Sequence, residues 1–414
     1  WLVHRGNPAR NAMSAGGRPL LVSRWRVPTT RHPEEARLLE KSREHAADRQ
    51  DIPLLPASHP LAVAGTVLMH TPMGLLAVDF ETGKRIWWVP SPRQSPSAVS
   101  ETDTDNVMGA MDVMADAQRQ RAIEAVFDDA TSGTLASDGR LVFAVESSPR
   151  AIAMQNNGMP IRVAQNGESW QSGNRLSAYD IANGGKLRWR RPSSGSELAE
   201  RKTPPEREDP PAGPLGVAAP MALWHCGTPL PLGDQISVLV EERGQIRLDV
   251  LEAATGKPLW SQPLAEVDES RSIDNPNSRG RRTAGLSPSM AEGVLVCPTA
   301  AGAVVGVDVA TRTLLWAYHY PISTTEERIA QGIGIGGRRP QNVVVFNGQV
   351  VPPGAEHRWI DSVPTLSSGY SVLTPSESNE LHCVSLRRGT LSWKLPRKEN
   401  LYVAGIVENM VVLV

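Results

Sequence analysis

Apolar residues in this chain fall in short dense runs, each closed by an acid or a turn residue. "GLLAVDF", "NRLSAYDI" and "GAVVGVDV" are such runs, and their length suits strands rather than helices. A second run precedes each of them and two more units, in "GTVLMHTP", "GRLVFAVE", "QISVLVEE", "GVLVCPTA" and "YSVLTPSE". Small or turn-rich segments such as "TSGTLASD" and "GLSPSMAE" stand before these and supply a further strand. After each comes a tight turn and an outgoing strand ending in tryptophan. The pattern predicts four-stranded antiparallel meanders, repeated along the chain. Helical spacing is confined to two stretches, 33–50 and 106–127.

The closing phrases align on their tryptophans: "AVDFETGKRIW" (77–87), "AYDIANGGKLRW" (178–189), "VLEAATGKPLW" (250–260), "GVDVATRTLLW" (306–316) and "CVSLRRGTLSW" (383–393). The fullest copy carries Ala77, Asp79, Thr82, Gly83, Lys84 and Trp87. Asp180 and Asp308 repeat the acid, Gly256 and Gly389 repeat the glycine, and Arg312 stands where glycine is expected. A carboxylate there can accept bonds from turn amides, and glycine can take the positive φ of a bulged hairpin turn. Trp25 is a sixth tryptophan that lacks the turn before it.

The phrase A-x-D-x-x-T-G-K-x-x-W resembles the tryptophan-docking repeat of the pyrroloquinoline-quinone (PQQ)-like β-propellers. That family includes quinoprotein dehydrogenases and outer-membrane assembly lipoproteins of the BamB type. The resemblance runs from about residue 61 to the end, and residues 1–28 resemble the opening strand of such chains. It implies an all-β propeller of four-stranded blades, with five complete repeats and partial blades at both ends. It implies that Trp25, Trp87, Trp189, Trp260, Trp316 and Trp393 dock between blades, with the small residue at the Ala77 position making room. Trp170 and Trp359 lie in insertions or their margins, so their loss is expected to cost much less.

Tryptophan spacing exceeds what a bare blade of about forty to fifty residues needs. The excess sits in insertions at about 29–58, 91–130, 147–174, 191–216, 263–284 and 319–358 within one domain spanning 1–414. All but 147–174 separate one blade from the next. Strand alternation then sends every insertion to one end of the propeller and every T-G hairpin to the other. Function is expected on the elaborated end, where loops stand on a rigid scaffold. Met111, on the 106–127 helix, and the arginine pairs Arg281–Arg282 and Arg338–Arg339 are candidate partner-facing residues there. The final "LYVAGIVENMVVLV" reads as two strands of another blade, so the chain is expected to break off inside a larger propeller.

Composition narrows the chemistry. A net charge of −1 supplies no global basic field for nucleic acid. No apolar run reaches bilayer length. Cys226, Cys297 and Cys383 form no C-x-x-C, and neither H-E-x-x-H nor G-x-S-x-G occurs. "GIGIGG" (332–337) satisfies a dinucleotide spacing but no strand leads into it. "ETDTDN" (101–106) lacks the glycine and final Glu of a calcium loop. No catalytic, cofactor-binding or metal residue emerges. The expectation is a non-enzymatic scaffold binding another protein, with no cofactor. By resemblance it is periplasmic or in the cell envelope. The alternative implied by the resemblance is a PQQ- and calcium-dependent dehydrogenase of alcohols or sugars. In such enzymes PQQ lies against two adjacent cysteines, a pair absent here. The number of subunits is left open.

Overall fold

The computed structural model describes residues 1–14, 16, 22–30, 32–47, 55–91, 123, 126–127, 129–147, 174–191, 223–268, 271–273, 278–322, 344–346, 349–351 and 359–414. The first sheet runs in order β1 (Leu61–Val63), β2 (Thr66–Thr71), β3 (Gly74–Asp79) and β4 (Arg85–Pro90). The second is β5 (Leu135–Ser137), β6 (Leu141–Ser147), β7 (Asn174–Asp180) and β8 (Lys186–Arg191). The third has β9 (Leu223–His225), β10 (Leu230–Leu232), β11 (Gln235–Glu242), β12 (Gln245–Glu252) and β13 (Pro258–Glu266). Here β9 and β10 pair with opposite halves of the long β11, so the first strand is split in two. The fourth is β14 (Ser289–Ala291), β15 (Val294–Pro298), β16 (Ala303–Asp308) and β17 (Thr313–His319). A separate hairpin pairs β18 (Val344–Phe346) with β19 (Gln349–Val351). The fifth is β20 (Thr365–Ser367), β21 (Tyr370–Leu373), β22 (Glu380–Ser385) and β23 (Leu391–Pro396), and β24 (Val403–Val407) pairs with β25 (Met410–Leu413).

The dense apolar runs have a simple cause: each central strand is covered on both faces. In β6, Val142 and Ala144 face the first sheet with Leu68, Leu75 and Trp87, while Leu141, Phe143 and Val145 join the layer shared with the third. In β15, Leu295 and Cys297 face one way and Val294 and Val296 the other. The core is therefore a series of layers between successive sheets. Each buried large side chain contributes about 1.5–3 kcal/mol to it.

Inner and outer edges differ. The first strands gather together, β1 beside β5, β5 beside β10, and β14 and β24 on either side of β20. The last strands lie outside, and Ile86, Leu187, Leu259, Leu314 and Leu395 on them are exposed. Within each sheet the first turn binds the closing hairpin: Phe80 N donates to Gly65 O, Ala253 N to Asp234 O, Val309 N to Gly293 O and Leu386 N to Gly369 O. The opposite end binds the middle turn to the exit of the last strand, as in Ser91 N to Met73 O and Val267 N to Gly244 O. Hairpins thus share one end, and the insertions leave from the other.

The segment 33–50 is helical over Pro33–Ala47, with Glu34 and Glu35 in its first turn. Glu35 is buried and its carboxylate accepts from His32 N. Most of 106–127 lies outside the described residues, as do "ETDTDN", "GIGIGG" and Trp170.

Candidate functional site

The docking contact is the repeated unit of the molecule. The indole of Trp87 donates to Ile181 O at 3.0 Å, Trp189 to Ala253 O at 2.8 Å, and Trp316 to Leu386 O at 2.9 Å. Trp25 does the same to Phe80 O at 3.0 Å. Each acceptor directly follows the hairpin acid, or its equivalent, in the next sheet. The hairpin glycine of that sheet lies against the same ring: a Cβ on Gly83, Gly185, Gly256 or Gly389 would come within 2.5–2.7 Å of the indole before it. Behind the ring stands the cross-strand partner, Ala77, Ala178, Val250, Gly306 or Cys383, at a bulge in every sheet. Arg312 replaces the glycine in the fourth sheet at φ +59° and lays its guanidinium over Trp260, 5.8 Å from the ring centroid. Trp393 packs against the cluster that includes Val403 and Ile406.

The hairpin acids hold the turn. Asp79 Oδ1 accepts from Glu81 N, Thr82 N and Thr82 Oγ1 at 3.1, 2.8 and 2.7 Å, and Asp180 and Asp308 accept in the same way from Asn183 N and Thr311 N. The Thr82 hydroxyl and amide hold the Asp79 carboxyl below its usual range. Trp359 corrects one expectation. It is 2% exposed, donates to Glu380 O and packs with Leu381 and Val403, so it is core and not an insertion margin.

At the end opposite the hairpins, buried carboxylates root the insertions. Glu241 is fully buried, and it accepts from Ile273 N and Arg281 Nη2, both at 2.7 Å. Arg281 also donates to Ala300 O and Arg271 O, so its charge is committed inward. Glu146 accepts from Ser177 Oγ and Tyr179 OH at 2.6 and 2.7 Å, with Arg190 alongside. Burial and then Glu146 push the Tyr179 phenol up. Glu377 accepts from Tyr320 OH and Gly302 N, which hold the exit of β17. Glu146 and Glu241 close apolar runs and Glu377 stands in the polar turn "TPSESN", so nothing local distinguishes them from solvated acids. Arg282 is half-buried, and Met111, Arg338 and Arg339 lie outside the described residues.

Residues 2–11 run past the gathered first strands. Leu2 O accepts from Ser137 N, Pro8 O from Met290 N and Ala9 O from Leu366 N, at 2.7–2.9 Å. The Asn11 side chain donates to Ile406 O and accepts from Ile406 N. The segment therefore touches the first strands of four sheets. Arg10 is 1% exposed, donates to His4 O, and is lowered to about 10 by burial. Asp361 receives His4 Nε2 at 2.8 Å and Arg5 Nη2 at 2.9 Å. Burial works to raise its carboxyl, and Arg5 and His4 overcome that and hold it well below the carboxylate range. The His4 ring packs against His59 with centroids 4.3 Å apart and the planes tilted by 35°.

Cys226, Cys297 and Cys383 lie in three different repeats, each buried and unpaired, and do not form a vicinal pair. Burial raises all three thiols, Cys383 to about 11. Among the described residues no three His, Cys, Asp or Glu side chains are grouped to hold a metal. His225, lowered to about 3 by burial, is a neutral core histidine held by Asn174.

Residues 172–351 match the family model described as outer membrane protein assembly factor BamB. Among solved structures, BamB from Moraxella catarrhalis is 13% identical with a TM-score of 0.38, over 80% of this chain and 61% of that one. A europium-containing methanol dehydrogenase is 13% identical with a TM-score of 0.39, over 86% of this chain and 54% of that one. The quinohemoprotein alcohol dehydrogenase from Comamonas testosteroni is 12% identical with a TM-score of 0.39, over 87% and 46%. The chain thus spans 46–61% of the length of these structures. No curated protein matches it. The matched segment carries three of the five tryptophan phrases, and the same tryptophan-to-hairpin contact recurs on both sides of it.

Proposed function

We propose that the chain is a non-catalytic scaffold of the cell envelope that holds another protein on the end from which its insertions leave. The difference between the two ends carries this reading. The hairpin end is occupied by short turns locked onto tryptophans. The other end sends out long segments from positions rooted by Glu146, Glu241 and Glu377. Rigid roots beneath long loops suit recognition of a large partner. A protein partner also agrees with the name of the matched family model, an outer membrane assembly factor. No described helix is long and apolar enough to cross a membrane.

Two measurements test the reading. Purified protein is mixed with PQQ and calcium. Quinone absorbance with dye reduction would establish the dehydrogenase alternative and sink the scaffold. Crosslinking in cell envelopes then compares charge reversal at Arg282, Arg338 and Arg339 with substitution of Thr82 and Thr255. Partner capture should weaken only in the first set; dependence on the T-G turns would overturn the assignment of the binding end.

A further inference from the structure

We propose that residues 2–11 act as an internal clasp that ties the terminal sheets to the rest of the molecule and releases in acid. Three observations carry this. Hydrogen bonds from the segment reach β5, β14, β20 and β24, four sheets that share no strand ladder with one another. The two-stranded sheet β24–β25 is tied through both polar atoms of the Asn11 side chain. At the other end of the segment, the His4 ring lies on His59, which leads into β1. The chain reverses through left-handed backbone at Arg5 and Gly6 and again at Arg10, with φ of +61°, +87° and +57°. The clasp is thus a folded turn, not a strand added to one sheet.

Its lock is the cluster of His4, Arg5, Arg10, His59 and Asp361. Asp361 pairs with Arg5 and His4 and acts on Arg10 at longer range, so one carboxylate faces two guanidinium groups. Burial first, and then His4, hold His59 down to about 4 from 6.5. Its neutral form is the one the fold accepts. That contribution is intact above pH 6.5 and is lost as pH falls toward 4. Asp361, whose carboxyl is held low, works in the same direction, since its contribution is also lost in acid.

Hydrogen–deuterium exchange on the full chain tests the clasp. At pH 7, Asn11→Ala should speed exchange of residues 2–11 and of β24 by about tenfold and leave β12 unchanged. Unchanged rates in β24, or an equal rise in β12, would overturn it, because the second marks a merely global loss of stability. Asp361→Asn should give the same pattern; if that variant does not fold, Asn11→Ala decides alone. In the wild type, protection of residues 2–11 should fall between pH 6.5 and about 4 after correction for intrinsic rates. His59→Phe, which keeps an aromatic ring against His4, should flatten that fall. Protection independent of pH in the wild type, or an unaltered fall in His59→Phe, would overturn the acid release.

Discussion

Trp87 shows how much one side chain does here. Its ring fills the layer between two sheets, its N–H satisfies Ile181 O, and Gly185 leaves the space it occupies. Trp87→Ala therefore removes packing and strands a carbonyl, and should cost about 3–5 kcal/mol in a urea melt. Trp359→Ala should cost about the same, because that ring is buried at 2% and also donates to a carbonyl. A loss below about 1 kcal/mol at either site would show that the ring is not core. The two residues differ in how legible they are. Trp87 sits ten residues after Ala77 in a phrase that recurs, so its role can be read from spacing. Trp359 belongs to no phrase, and its partners Leu381 and Val403 are distant in the chain. The buried Glu241 and Asp361 were illegible for the same reason. An acid looks solvated until the arginine that pairs with it is placed.

At the scale of the element, the hairpin explains both its rule and its exception. The glycine is required twice, for positive φ and because the preceding indole leaves no room for a Cβ. Gly256→Ala meets both conditions, at φ +70° and 2.7 Å from Trp189, and should cost about 1–3 kcal/mol. Arg312 satisfies the second condition differently, by stacking its guanidinium on the ring. Arg312→Gly relieves left-handed strain and loses a cation–π contact, so its effect on the urea midpoint should stay within about 0.5–1 kcal/mol. A larger loss would show that the stack outweighs the strain. Strand order, hairpin position and the end from which the insertions leave were all legible, since each depends on local alternation and turn chemistry. The split of β9 from β10 was not, because it depends on the length of the partner strand β11.

For the whole molecule, the docking contacts set how far a disturbance travels. Each core layer joins two or three successive sheets, and each tryptophan reaches only the next hairpin. Energy should therefore couple between neighbours and fade beyond them, as in other repeat folds. Trp87→Ala and Gly185→Ala act on one interface. With the ring gone, the Cβ at Gly185 no longer collides with it, so the double variant should cost less than the sum by about 0.5–3 kcal/mol. Trp87→Ala and Trp316→Ala act on different layers and should add within about 0.3–0.5 kcal/mol. Among the described residues, the clasp at the centre is the feature that can break this locality, since it touches four sheets at once. Repeating the distant pair in the Asn11→Ala background separates the two sources. Additivity in both backgrounds confines coupling to the docking layers. Non-additivity that disappears with Asn11→Ala would show that the clasp transmits stability across the molecule, and non-additivity that persists would refute the nearest-neighbour account.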